Sequence, residues 1–285
     1  VSEQQNQVTL GADPEFFVKR EKTSIPIFDV PGIGGTKDMG VPMTGMPLGF
    51  SYLEDGAALE FNIPPAICAS DFVTYINEAM NWLKAYVLVP NRLTVANGAV
   101  MSLRDRYKEH PKAKVFGCQP DFHAWDATLP GHQRAALGAH NLGDRRCAGF
   151  HLHLGYNLAE VPADVAARFM DLFVGLTAVR WDKQALRRKF YGLPGLFRPK
   201  PYGIEYRTLS AEIFDHKNKY REHSGEPLLR TLAKRAFLFG GYTYNKLELL
   251  HTLYTSAPWA DVQSAIENED GDLAGQITEW LGGQG

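Results

Sequence analysis

Four short runs of this chain carry the residue types from which a metal and phosphate site can be built. Gly11-Ala-Asp13-Pro-Glu15-Phe16 places two carboxylates at i and i+2, and Gly149-Phe-His151-Leu-His153-Leu-Gly155 places two imidazoles at the same interval. Glu205 and Arg207 repeat it within the Gly/Pro-rich stretch from Tyr191 to Ser210, with Arg198 and Lys200 just upstream. On a β-strand, residues at this interval leave one face together. A fourth run, Asp55-Gly-Ala-Ala-Leu-Glu60-Phe-Asn62, adds two acids to an otherwise apolar stretch. Taken singly, each run has an ordinary structural meaning: an ion pair on a solvated sheet, two packed strand histidines, a solvated strand tip. Asp121 and His123, a further pair at this spacing, are read as structural. Together, the four runs read as a sheet whose open face is a reaction site.

On one face, Asp13, Glu15, Asp55, Glu60 and Glu205 would repel one another, by roughly 4 kcal/mol per pair at about 4 Å and an effective dielectric of about 20. Such a cluster persists by taking up protons or by holding cations. Hard oxygen ligands favour Mg²⁺ or Mn²⁺, and added histidine shifts the preference toward Mn²⁺. Arg198, Lys200 and Arg207 cannot ligate a metal but suit phosphate oxygens, and an arginine grips two at once. Carboxylate-held divalent ions facing arginines describe a site for a nucleoside triphosphate.

The elements that must position these groups follow from the pattern between them. Val8 to Val18 reads as a first strand, with Pro14 at an edge or at a pleat position whose donor is unneeded. Residues 30–50 hold six glycines and three prolines. Their spacing fits neither the Walker pattern nor the dinucleotide fingerprint, so the segment reads as a flexible flap with Lys37 reaching into the site. Ser51 to Ile63 reads as strand, followed by a helix capped by Ser70. Val115 to Trp125 reads as extended, and residues 126–148 as irregular. Pro162 to Trp181 has the period of an amphipathic helix, and the basic run Arg187-Arg188-Lys189 reads as a solvated helix end. Pro227 to Leu250 reads as a long helix interrupted at Gly240-Gly241. Ser256-Ala-Pro258 reads as the cap of a helical tail, and Asn268 to Asp272 as a turn between two short helices rather than a calcium loop. Strands, a helix, strands again and more helices, without a βαβ rhythm, predict an α+β protein with a mainly antiparallel sheet and helices on one face.

Bulk properties set the limits. A chain of 285 residues, 45% hydrophobic, can bury a large core, and we divide it into a main domain over 8–255 and a helical tail over 256–285 packed on it. The formal charge of −2 and the lack of a basic block argue against general nucleic-acid binding. Three scattered cysteines without a Cys-x-x-Cys pair, and no long apolar run, fit a reducing cytoplasm without a membrane span.

Taken in order, the four runs resemble the phage-type carboxylate–amine ligases. These form the type 2 amidoligase group of tailed phages and bacteria, related to glutamine synthetase and glutamate–cysteine ligase. The likeness extends from about residue 8 to residue 215. It implies a sheet with a concave active face, like the glutamine synthetase catalytic domain, and formation of an amide from an acid and an amine at the expense of ATP. It implies Asp13, Glu15, Glu60, His151 and Glu205 as ligands of Mg²⁺ or Mn²⁺, with Asp13 one methylene shorter than the glutamate of the superfamily's Glu-x-Glu strand. His153, Arg198 and Lys200 would lie on ATP. Arg198 and Arg207 would balance charge in phosphoryl transfer, with Glu205 a catalytic metal ligand beside them. Lys37, Asp55, Arg145 and Arg146 are candidates for the acid substrate, an amino acid or amino-acid-like molecule. The amine partner is a small molecule, a peptide or a modified nucleotide. The setting implied is a bacterial cytoplasm, or that of an infected host. A two-metal phosphohydrolase or nuclease and a non-catalytic binding protein retaining the fold are the competing readings.

Overall fold

The computed structural model describes residues 7–114, 121–125, 133–134, 143–188, 191–214 and 221–284. The chain opens with β1 (Thr9–Phe16), β2 (Val18–Arg20), β3 (Thr23–Ile25) and β4 (Val41–Pro42), then the hairpin of β5 (Ser51–Asp55) and β6 (Ala58–Asn62). Helix α1 (Ala69–Leu83) follows, then β7 (Thr94–Val95), β8 (Val100–Ser102), α2 (Asp105–Lys108), β9 (Asp121–His123), β10 (Gln133–Arg134), β11 (Arg145–Cys147) and β12 (Phe150–Gly155). Helix α3 (Ala163–Met170) runs through a wide turn at 171–175 into α4 (Leu176–Ala178), and α5 (Ala185–Arg188) precedes β13 (Leu196–Lys200) and β14 (Gly203–Tyr206). Four helices close the chain: α6 (Arg221–Asn245), α7 (Leu247–Ser256), α8 (Trp259–Glu267) and α9 (Gly271–Gly282).

Among the described residues, nine strands form one sheet in the order β10-β9-β13-β14-β12-β1-β6-β5-β4, and the pairs along it are antiparallel. Strands β3-β2-β7 and β11-β8 make two smaller sheets. This is the α+β architecture the order of patterns predicts. Alternation sorts the two faces of the large sheet. Leu10 and Ala12 of β1, Phe150, Leu152 and Leu154 of β12, and Ile204 and Tyr206 of β14 are buried in the common core. Helices α3 and α6 pack against these strands, so the intervening residues face away from those helices. The tail helices belong to the same core, through Val262, Ala265 and Ile266 of α8 and Ala274, Ile277 and Leu281 of α9.

Several local expectations shift. β1 is central, between β12 and β6, so Pro14 is not at an edge. Its missing N–H falls on the β6 side, between the Ile63 N to Ala12 O bond (3.2 Å) and the Glu15–Glu60 pair. Helix α1 is capped by Cys68, whose Sγ accepts from Asp71 N at 3.4 Å, and Ser70 lies inside the first turn. The long helix α6 passes straight through Gly240-Gly241 and ends before Lys246, whose φ of −142° is not helical. Gly240 serves packing, because a Cβ there would come within 2.5 Å of Val8 Cγ1. Pro258 is itself the N-cap of α8, and Ser256 is the last residue of α7. Asp270 caps α9, accepting from Asp272 N and Leu273 N, so the acidic stretch before it is a turn between helices. The run Arg187-Arg188 is buried rather than solvated, the two residues being 0% and 4% exposed. The extended reading of 115–120, most of 126–142, Lys189 and Cys118 lie outside the described residues.

Candidate functional site

Strand register brings the four runs together on the face turned away from α3 and α6. Asp13 lies opposite His151, His153 opposite Glu205, Arg198 opposite Glu205, and Glu15 opposite Glu60. Cross-strand partners share a face, so residues nearly two hundred positions apart become neighbours. Glu15, Glu60, His151, Glu205 and Arg207 are all at least nine-tenths buried.

Imidazole and acid alternate across the middle of the site. His151 Nδ1 lies 3.4 Å from Asp13 Oδ1, 3.7 Å from Glu15 Oε1 and 3.9 Å from Glu205 Oε1. His153 Nε2 lies 3.1 Å from Asp13 Oδ2, while its Nδ1 meets the Tyr202 hydroxyl at 2.5 Å. Two sets of donors each hold their ligand atoms within 4.8 Å: Asp13, His153 and Glu205, and Glu15, Asp55 and Glu60.

The ends of the face differ in charge. On the β13–β14 side, Glu205 accepts from Lys200 Nζ at 2.7 Å and from Arg198 Nη1 at 3.2 Å, and the Arg207 guanidinium touches its other oxygen. Three cations share one carboxylate. On the β1–β6–β5 side, Glu15, Asp55 and Glu60 face the Lys37 ammonium, 3.0 Å from Asp55 Oδ2.

Protonation follows from this layout. Burial, reinforced by the Asp55 charge, pushes Glu15 up to about 8, against the pull of Lys37, Arg207 and the Gly149 N–H. Burial and the neighbouring carboxylates also raise Glu60 well above the usual range. Burial works to raise Asp13 too, but His153 and His151 overcome it and hold that carboxyl well below its ordinary value. Burial and the Arg207 charge lower His151 to about 3, leaving a neutral imidazole. A neutral imidazole and crowded carboxylates are the donor set that a divalent cation takes. Asp13 Oδ1 is buried with no donor aligned to it, as an atom waiting for a cation would be. By this chemistry Glu15, Asp55 and Glu60 fit a metal directly, with Asp13 and His151 beside them. Glu205 belongs to the other set, with Asp13 and His153, and its carboxylate is engaged by three cations.

The remaining candidates divide. Lys37 reaches the site, but from a segment bonded along β5, not from a free flap. Arg145 and Arg146 lie on the separate β8–β11 sheet, where the Arg146 guanidinium donates to the carbonyls of Ala113 and Gly143. His123 lies opposite Leu196 and so continues the polar face along β13, buried.

Three residues had no signal in the spacing. The Tyr191 hydroxyl accepts from Arg207 Nε at 2.5 Å and lies 3.5 Å from His151 Nε2. Arg187 donates to the carbonyls of Thr208 and Arg207, backing the strand end that carries Arg207. Tyr202 joins His153, Thr9, Gly11, Asn62, Ile63 and Pro65 around a cavity of about 310 Å³ next to Asp13. The repeated Tyr-Gly dipeptides at 191 and 202 are the only mark of the two tyrosines in the sequence. No protein-family model matches the chain, and no curated protein matches it significantly.

Proposed function

We propose that this protein is an ATP-dependent carboxylate–amine ligase that forms an amide through an acyl phosphate and releases ADP and phosphate. One observation carries the reading: five acids, a neutral imidazole and three cations meet on one largely buried sheet face, with Glu15, Asp55 and Glu60 toward β5 and Arg198, Lys200 and Arg207 gathered on Glu205 toward β13. The resemblance to the amidoligase group assigns Asp13, Glu15, Glu60, His151 and Glu205 to metal and His153, Arg198 and Lys200 to ATP; Asp55, a substrate candidate by sequence, joins the metal set on geometry.

Glu15, Asp55 and Glu60, with Asp13, His151 and Glu205, would hold Mg²⁺ or Mn²⁺. Bound divalent ions neutralise the triphosphate and polarise the bond that breaks during transfer. Arg198 and Lys200, each a quarter exposed, grip the oxygens of the transferred phosphoryl group. Arg207, fixed by Tyr191 and almost wholly buried, balances charge growing on the acyl phosphate and then on the tetrahedral adduct with the amine. The cavity beside His153 and Tyr202 has room for a nucleoside. The 30–50 segment walls the acid end and keeps water from the activated acid. The acid is an amino acid or a similar molecule, and the amine a small molecule, a peptide or a modified nucleotide.

Incubating the protein with Mg·ATP and panels of acids and amines tests this. A ligase makes ADP only when its acid is present, and mass spectrometry then finds an adduct lighter than the summed substrates by one water. ATP hydrolysis indifferent to acid and amine would favour a phosphohydrolase. Absence of Mg·ATP binding by calorimetry, with Glu205→Gln indistinguishable from wild type, would leave a non-catalytic binding protein.

A further inference from the structure

Lys37 stands at the tip of a tight turn closed by two backbone hydrogen bonds between Thr36 and Met39, each 3.0 Å. The turn is pinned to β5 from two sides. Gly34 N donates to Glu54 Oε1 at 3.1 Å, and Gly35, at φ +81°, approaches so closely that a Cβ would lie 2.9 Å from Leu53 Cα. Only glycine permits both that φ and that approach. Beyond the turn, β4 pairs with β5, and Met43 N bonds Phe50 O at 3.1 Å. The backbone therefore sets where the Lys37 side chain begins.

The ammonium meets Asp55 Oδ2 at 3.0 Å. The Asp55 carboxylate in turn has an oxygen within 4.8 Å of oxygens from both Glu15 and Glu60. The ammonium therefore borders a cluster of three carboxylates. An ion entering among these carboxylates needs the Asp55 carboxylate, which the ammonium already engages. A monovalent ion brings no more charge than the ammonium it would displace, whereas a divalent ion brings twice as much.

We propose that Lys37 is a tethered counter-cation of the Glu15–Asp55–Glu60 cluster, displaced when a divalent ion enters, and that it sets the affinity and the valence selectivity of that site. This rests on the reading of the cluster as a metal site and adds a competitor built into the chain. Mutual exclusion also couples the two halves of the reaction site. Only a metal-loaded cluster releases the ammonium, which is 42% exposed.

The test is Mn²⁺ titration of the full chain by calorimetry at fixed pH and ionic strength, for wild type, Lys37→Met and Lys37→Arg. Lys37→Met is expected to bind Mn²⁺ at least tenfold more tightly, and Lys37→Arg within a factor of about three of wild type. Replacing choline chloride by KCl at equal concentration should weaken Mn²⁺ binding to Lys37→Met and leave wild type unchanged. Lys37→Gln repeats the measurement should Lys37→Met fail to fold by circular dichroism. Equal or weaker Mn²⁺ binding by the uncharged variants, with wild type binding normally, overturns the role of Lys37 and leaves the metal site standing. Failure of every protein, wild type included, to bind Mn²⁺ overturns the metal site and this proposal with it.

Discussion

Glu205 holds the densest charge in the molecule's described residues, a carboxylate 1% exposed and touched by Arg198, Lys200 and Arg207. The three contacts are unequal. Arg198 and Lys200 are partly open to solvent, where an ion pair contributes about 0–1 kcal/mol. Arg207 is buried, and stripping a buried charge of its partner costs about 3–5 kcal/mol. Glu205→Gln should therefore destabilise the fold by about that amount in chemical denaturation. The same variant should regain more melting temperature from added inorganic phosphate than wild type does, because an anion replaces the lost charge beside Arg207. If phosphate stabilises both proteins equally, the three cations do not form an anion site. Arg187→Met tests the support behind them. It leaves the carbonyls of Thr208 and Arg207 without the donor they now use, at about 1–3 kcal/mol each. Phosphate affinity should fall with it, although Arg187 never reaches the ligand.

Elements are tied to one another by buried polar groups as much as by apolar contact. Asp171, in the wide turn between α3 and α4, accepts from the Tyr206 hydroxyl of β14 at 2.6 Å and from Trp125 Nε1 at 2.8 Å. Burial raises this carboxyl to about 7, with Tyr206, Trp125 and Gly195 N–H pulling the other way. A folded pKa above the ordinary value of an aspartate means the native state holds a proton that the unfolded chain gives up. The stability from this group is then full at pH below about 4 and is lost as pH rises through about 7. Asp171→Asn should remove that part of the decline, since the Tyr206 hydroxyl can turn to accept from the amide while the indole keeps its acceptor. Asp171→Leu orphans both donors and should cost about 1–3 kcal/mol for each. Urea denaturation at several pH values separates the two variants. The contrast between this aspartate and the site residues explains what the sequence makes legible. Asp13, Glu15, His151, His153, Glu205 and Arg207 stand out because strand alternation is a property of neighbours along the chain. Asp171 lies in a helical run, and its partners come from strands elsewhere, so no local pattern marks it. The burial of Arg187 and Arg188 was likewise hidden, because a basic run looks solvated until a carbonyl-rich strand end is packed on it. Helix α6 passes Gly240 where composition suggests a break, because the close approach of Val8 is a tertiary fact.

At the scale of the whole molecule, one core must form before there is any site, because the site is assembled from β1, β5, β6, β12, β13 and β14 and from Arg207 just beyond, spread over residues 9–207. The tail is part of that condition. Helix α8 packs on the wide turn that carries Asp171, and α9 packs on α4 and α8. Through these contacts the last thirty residues brace the helices lying behind β13 and β14. Val262, Ile266, Ile277 and Leu281 are buried there, each contributing about 1.5–3 kcal/mol. Their sum is comparable with the whole stability of an ordinary domain, about 5–15 kcal/mol. A chain ending at Ser256 should therefore lose cooperative unfolding and, with it, binding of Mn²⁺ and Mg·ATP, although no residue of the candidate site has been removed. The 285-residue chain should melt in a single calorimetric transition, raised by Mn²⁺. A separate transition for the tail, or a truncated chain that still binds Mn²⁺ with unchanged affinity, would show that the sheet holds its charged face without the helices behind it.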